Sequence, residues 1–179
     1  VVHDPITGHT WSAIRDQGAF VRGGPGGTAE RQLRSVRRPI PVTPVLGWTQ
    51  GHDVARDDSA ARALKVVLDS TARRVLQLWA PLLCWTMLAR GDIDGIIGYR
   101  PEAVDLPAGL LIATEAGMSV RTLDGCGFDD RFGRSSEQRS FVAGPPETID
   151  RLVGLVATAR WLEPELRRLD PVGLVSHRW

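Results

Sequence analysis

The chain has little of almost everything that marks a specialised class of protein. Its 179 residues hold two cysteines, Cys84 and Cys126, too few for a disulfide scaffold or a cysteine zinc site, and a reducing, cytoplasmic setting fits that scarcity. Neither sign of charge is in excess. Twenty-two basic against 21 acidic residues leave a net charge of +1, which argues against a nucleic-acid or membrane-surface binder. Lysine is nearly absent, Lys65 standing alone among arginines, and so uniform a bias along the chain reads as coding preference rather than a phosphate patch. Long apolar runs are missing too: the longest, over residues 76–89, contains Gln77 and Pro81 and is too short to span a bilayer. No basic-plus-apolar signal is visible at the N-terminal end. The chain opens on Val1-Val2-His3, already strand-like, and the expectation is the C-terminal part of something longer.

What is present, 42% hydrophobic residues with 19 Gly and 12 Pro, is the composition of one soluble globular domain. Thr10-Trp11-Ser12-Ala13-Ile14-Arg15 is rich in aromatic and β-branched types and predicts a strand. The turn Asp4-Pro5-Ile6-Thr7-Gly8 folds it into a hairpin with residues 1–3. Gly23-Gly24-Pro25-Gly26-Gly27 is a loop and not a P-loop, because no Gly-Lys-Ser/Thr follows.

From Asp57 the period changes. Ala60, Leu64, Val67 and Leu68 predict a helix capped among Asp57, Asp58 and Ser59. A strand follows over residues 73–78, then a helix over 80–90 with Pro81 in its first turn and Gly91 as its stop. Asp92 to Gly98 reads as turn plus strand. A helix after Asp105 runs to Gly117, and strands fall over 118–122 and 140–143. A last helix spans 145–159, and residues 124–139 are loop. This alternation predicts an α/β, layered α+β domain over residues 1–159, with residues 160–179 as a tail.

Val104-Asp105-Leu106-Pro107-Ala108-Gly109 followed by Glu115-Ala116-Gly117-Met118 carries the chemistry. It sets an acidic residue before an apolar helix. As an N-cap, Asp105 would be held ionised by the unpaired N–H groups there, and an ionised carboxylate suits Mg²⁺. Ala108 and Gly109 are expected to leave room for a ligand. The stretch resembles the C-terminal signature of the inositol monophosphatase family, Trp-Asp-x-Ala-Ala-Gly with a later Glu-Ala-Gly-Gly. Gly91-Asp92-Ile93-Asp94-Gly95 is similar to that family's Gly-x-Leu-Asp-Gly. Val1-Val2-His3-Asp4-Pro5, Trp11-Ser12-Ala13 and Gly18-Ala19-Phe20 resemble its hairpin, so the likeness is collinear from Val1 to Ala157.

The resemblance implies the C-terminal portion of that fold. It also implies Mg²⁺-dependent hydrolysis of a small phosphomonoester such as an inositol or sugar phosphate, with Asp105 as a metal ligand. A role in phosphatidylinositol phosphate biosynthesis and a homodimer, or association with a missing N-terminal half, follow from the same likeness. The family's other ligands, from Glu-Glu and Asp-Pro-x-Asp-Gly-Thr, do not occur in these residues, since Asp4-Pro5-Ile6-Thr7-Gly8 reads as the later turn. The chain alone is therefore expected to be inactive.

Further departures are Trp79-Ala80-Pro81 at the substrate-side Gly-Ser/Thr-Ala, Cys84 at a helix aspartate, Val104 at the signature tryptophan, and Gly98 near an acidic sugar contact. They argue against inositol itself. Catalytic and substrate-contacting residues stay unassigned.

The bland readings are a solvated turn for Asp92 and Asp94, and surface or hairpin positions for His3, His9, His52 and His177. For Cys84 it is a buried inert thiol, and for Trp79 and Trp85 a core or interface position. Two other classes of function stand beside the phosphatase. One is a non-catalytic homologue kept for binding or assembly; the other is an α/β binding domain with a fortuitous likeness.

Overall fold

A computed structural model describes residues 1–24, 27, 29–34, 41–129 and 135–169. Pro25 and Gly26 of the glycine loop, the middle of the 124–139 loop, His177 and residues 170–179 lie outside them.

The expected hairpin forms and continues. Strands β1 (Val2–Asp4), β2 (His9–Ile14), β3 (Gly18–Arg22) and β4 (Glu30–Leu33) make an antiparallel sheet in that order, with Val2 opposite Trp11 and Asp4 opposite His9. Its first turn is closed by Asp4 itself, whose carboxylate accepts from the Ile6 N–H at 2.9 Å and the Thr7 hydroxyl at 2.6 Å. Gly8 completes the turn at φ 70°, in the left-handed region. The Thr7 hydroxyl, and then the Ile6 N–H, hold the Asp4 carboxyl below its usual range. This carboxylate serves its own turn.

The second sheet contains β5 (Val45–Gln50), β6 (Arg74–Leu76), β7 (Gly95–Tyr99), β8 (Ser119–Thr122) and β9 (Phe141–Gly144) in the order β6-β5-β7-β9-β8. β5 runs parallel to β6 and β7, while β9 runs antiparallel to β7 and β8. Connecting helices are α1 (Ser59–Thr71), α2 (Pro81–Arg90), α3 (Pro107–Glu115) and α4 (Ile149–Leu169). Asp58 caps α1, accepting from the Ala61 N–H at 2.9 Å, and Pro81 opens α2 as expected.

Four layers result. α1 and α4 cover one face of the second sheet, where Leu64, Leu68, Leu152 and Val156 pack on Leu46, Trp48 and Ile97. α2 and α3 cover the other, where Trp85, Leu88 and Leu110 meet Ile96 and Phe141. The far side of α3 packs on the first sheet, where Ile112 and Ala116 join Trp11, Val21 and Leu33. A helix between two sheets is apolar all round, which explains the unbroken run from Leu110 to Ala113. Leu110 and Ile112 are buried on different sides and Leu111 is half-buried, so the helix presents two apolar faces, one to each sheet.

Three elements depart from expectation. β4 is mostly exposed and polar, and β5 lies behind Pro39, Pro41 and Pro44; neither announces itself as a strand. α4 runs past residue 159 to Leu169, with Pro164 inside it and Leu162 and Leu166 on the core. The helix thus crosses the expected boundary at residue 160.

Candidate functional site

The parallel strands decide where a ligand can sit. From β5 the chain passes over one face of the sheet as α1 to reach β6, then over the opposite face as α2 to reach β7. Such a switch leaves a crevice outside the carboxyl ends of the strands. An open cleft of about 1060 Å³ lies there. Its walls come from Trp48 to Gly51 with His52, Val54 and Arg56 after β5, from Lys65 of α1, from Gln77, Leu78, Trp79 and Pro81 between β6 and α2, and from Glu102, Val104 and Asp105 before α3.

Asp105 closes a short 3₁₀ turn, residues Ala103–Asp105, two residues before α3. It lines the cleft, but it does not cap the helix as expected. The N-cap position belongs to Leu106, no side chain caps the helix, and Pro107 at the first position reduces the need for one. Removing Asp105 therefore costs the helix no cap, and no cap holds its carboxylate ionised. Burial pushes the Asp105 carboxyl above its usual range, the Glu102 carboxylate adds to the rise, and His52 opposes it. Glu102 is itself engaged, accepting the His52 backbone N–H at 2.9 Å.

This loop is anchored from β7. The Gly51 N–H donates to the Tyr99 carbonyl at 3.2 Å. The Arg100 N–H donates to the Ser140 hydroxyl at 2.9 Å, and the Arg100 guanidinium lies 3.4 Å from Asp58.

The donor set can be tested against a metal. Mg²⁺ demands several oxygen ligands, and the described residues offer Asp105 in a partly desolvated, acidic corner. No group of three or more His, Cys, Asp or Glu among the described residues could hold a metal ion. These residues by themselves do not fit a complete magnesium site.

The other candidates resolve as structure. Asp94 accepts the Val45 N–H at 2.7 Å and fixes the start of β5, while Asp92 pairs with Arg90. Cys84 is buried, and burial pushes its thiol up to about 11, which makes it inert. Trp85 is core, stacked on Phe141 at 4.7 Å between ring centroids. Trp79 is not core: it is 90% exposed.

Gly109 does not open space for a ligand. A Cβ there would lie 2.2 Å from the Trp85 ring, so its space is filled by tryptophan, and Ala108 packs on the first sheet's core. At Gly98 a Cβ would meet the Phe141 ring at 2.2 Å, so no acidic side chain fits that position.

Gln50, Arg56, Lys65 and Glu102 line the cleft without having been singled out by sequence. The signal that finds them is the recognition of β5, since the end of that strand forms the floor of the cleft. No helix among the described residues is long and apolar enough to cross a membrane.

Known proteins match this architecture. The sequence pattern of the inositol monophosphatase family fits residues 1–161. No curated protein matches the chain. Among solved structures, the Thermotoga maritima IMPase superposes with a TM-score of 0.68 at 22% identity, over 91% of this chain and 57% of that one. Mycobacterium tuberculosis SuhB gives 0.67 at 24% identity, over 88% and 57%. The inositol monophosphatase from Anabaena gives 0.70 at 17% identity, again over 88% and 57%. The chain therefore spans somewhat more than half the length of these solved relatives. The likeness is no accident of pattern: the chain belongs to the inositol monophosphatase family.

Proposed function

We propose that this chain is the part of a Mg²⁺-dependent phosphomonoesterase that carries Asp105, one of the metal ligands, and the substrate-facing wall of the cleft. The single observation carrying the reading is the place of Asp105. The family's signature carboxylate opens onto a cleft at the carboxyl ends of β5, β6 and β7, and burial together with Glu102 makes it costly to ionise. A cation placed beside it would remove that cost.

The substrate is a small phosphorylated molecule in a cytoplasmic setting, and inositol itself is disfavoured by Trp79 and Pro81 at the wall. Because the described residues do not complete a metal site, the remaining donors come from polypeptide beyond them. That polypeptide is an N-terminal half carrying Glu-Glu and Asp-Pro-x-Asp-Gly-Thr; a homodimer is the other association proposed for the chain.

Release of phosphate from inositol 1-phosphate and from sugar phosphates, with and without Mg²⁺, tests the reading. The 179-residue chain alone is expected to release a negligible amount. A chain that also carries Glu-Glu and Asp-Pro-x-Asp-Gly-Thr is expected to be active, and Asp105→Asn in it should cost about 100-fold or more. Activity of the 179 residues alone, abolished by Asp105→Asn, would overturn the requirement for outside donors. Inactivity of the longer chain would favour the second reading, a non-catalytic homologue used for binding or assembly, which the incomplete donor set already supports.

A further inference from the structure

We propose that the cleft selects a phosphorylated ligand bearing a flat aromatic ring, a nucleoside monophosphate, and that Trp79 is its stacking platform. The inference rests on reading the cleft as a phosphate-ester site and adds the class of molecule that fills it.

Trp11, Trp48 and Trp85 are buried in the core, whereas Trp79 and Trp161 are 90% and 84% exposed, and of these two Trp79 stands at the cleft wall. Single exposed apolar residues are ordinary, but this one has company. Val104, 80% exposed, lines the same cleft, and the His52 ring lies 6.4 Å from the indole, tilted by 51°. That side of the cleft offers an open π-face, with Gln77, Glu102 and Asp105 also lining the cleft. A cyclitol has no π-system to lay on that face. A base loses nothing there and gains stacking.

The rest of the cleft supplies what a nucleotide's other parts require. Gln50 also lines the cleft; its Oε1 is buried and accepts no hydrogen bond among the described residues. Arg56 and Lys65 supply positive charge, and neither forms an ion pair with another described residue. Lys65 Nζ is held 5.6 Å from the Trp48 ring centroid, a cation–π contact that keeps the ammonium at the wall.

Calorimetric titration of the 179-residue chain without metal, using adenosine 5′-monophosphate, inositol 1-phosphate and inorganic phosphate as probes, tests this directly. The nucleotide is expected to bind about tenfold or more tighter than either other probe, since stacking on an aromatic side chain contributes ~1–3 kcal/mol. Trp79→Ala should remove that preference, Trp79→Phe should keep most of it, and Lys65→Gln should weaken all three probes. Trp79 is exposed, so unchanged melting of the Trp79 variants is expected and separates lost stacking from lost fold. Equal or tighter binding of inositol 1-phosphate, or a nucleotide preference untouched by Trp79→Ala, would overturn the proposal. Hydrolysis is a separate readout. Nucleotide binding by a metal-loaded longer chain that releases no phosphate sinks the phosphatase reading alone. Phosphate release with no ring preference sinks only this one.

Discussion

At Gly109 a hydrogen atom stands where any other residue would place a carbon, and the space has an owner. The indole of Trp85 packs against α3 there and stacks on Phe141, while Gly98 admits the Phe141 ring from the opposite side. Two glycines and two aromatic rings thus lock α2, α3 and the second sheet together. Gly109→Ala should destabilise the chain by ~1–3 kcal/mol through overpacking, although alanine is the better helix former by nearly 1 kcal/mol. Urea unfolding measures it, and an unchanged midpoint would mean that Trp85 can move aside freely. The sequence marks this residue correctly and for the wrong reason. A small residue near an acidic helix start suggests room for a ligand, but nothing local reveals that a tryptophan 24 positions earlier fills it. Asp105 stood out because the pieces around it follow one another in the family's order, although Val104 replaces the signature tryptophan. Its supposed capping role failed because Pro107 starts the helix two residues later.

Elements were legible where punctuation and period agree. α1 has helical apolar spacing behind Asp58, α2 lies between Pro81 and Gly91, and α3 between Pro107 and Gly117. β5 is buried on both faces, with Leu46 and Trp48 toward α1 and α4 and Gly47 toward Cys84, so it shows no alternation. β4 is nearly all polar and owes its existence to pairing with β3.

The Glu-Ala-Gly piece of the signature is an element-level device of another kind. Glu115, at the end of α3, accepts the Asp16 N–H at 2.9 Å and the Gly18 N–H at 2.8 Å, and so fastens the β2–β3 turn to the helix. Those N–H groups, Asp16 first, hold its carboxyl below the usual glutamate value. The unfolded chain therefore binds the proton more readily than the folded one. The stabilisation is complete above the ordinary glutamate range and is lost as pH falls through the lowered folded value. Glu115→Gln should lower the melting temperature at pH 7, and the gap to the parent should narrow toward pH 3. A gap independent of pH would show that charge on Glu115 contributes nothing.

For the molecule as a whole, the position of the cleft follows from the order of its elements. A β-α-β-α-β passage that changes faces puts a crevice at the carboxyl ends of its strands, whatever residues line it. Missing β5 hid that passage, so sequence reasoning reached Asp105 and Trp79 but not Gln50, Arg56 or Lys65.

The end of α4 concerns the same question of what belongs to the body of the fold. Pro164 lacks an N–H and punctuates the sequence like a stop, yet the helix continues because tertiary contacts outweigh the lost bond. Beyond residue 159, Leu162 and Leu166 pack on the core shared by α1 and α4. Glu163 accepts the Ser59 hydroxyl at 2.9 Å, and Arg167 donates to that same Ser59 oxygen at 2.8 Å. The last turns of α4 are thus tied to the first turn of α1, beside the Asp58 cap and six residues before Lys65 at the cleft wall. A chain ending at Ala159 should lose about 3–5 kcal/mol, the burial of two half-covered leucines plus two hydrogen bonds. The double variant Leu162→Ala with Leu166→Ala, in the full chain, should reproduce most of that loss. Chemical unfolding of both proteins is the measurement. If the shortened chain unfolds at the parent's midpoint, residues 160–169 are an appendage and the boundary at residue 160 is a structural one. If the shortened chain and the double variant fall together, α4 is a single structural unit and that boundary divides nothing.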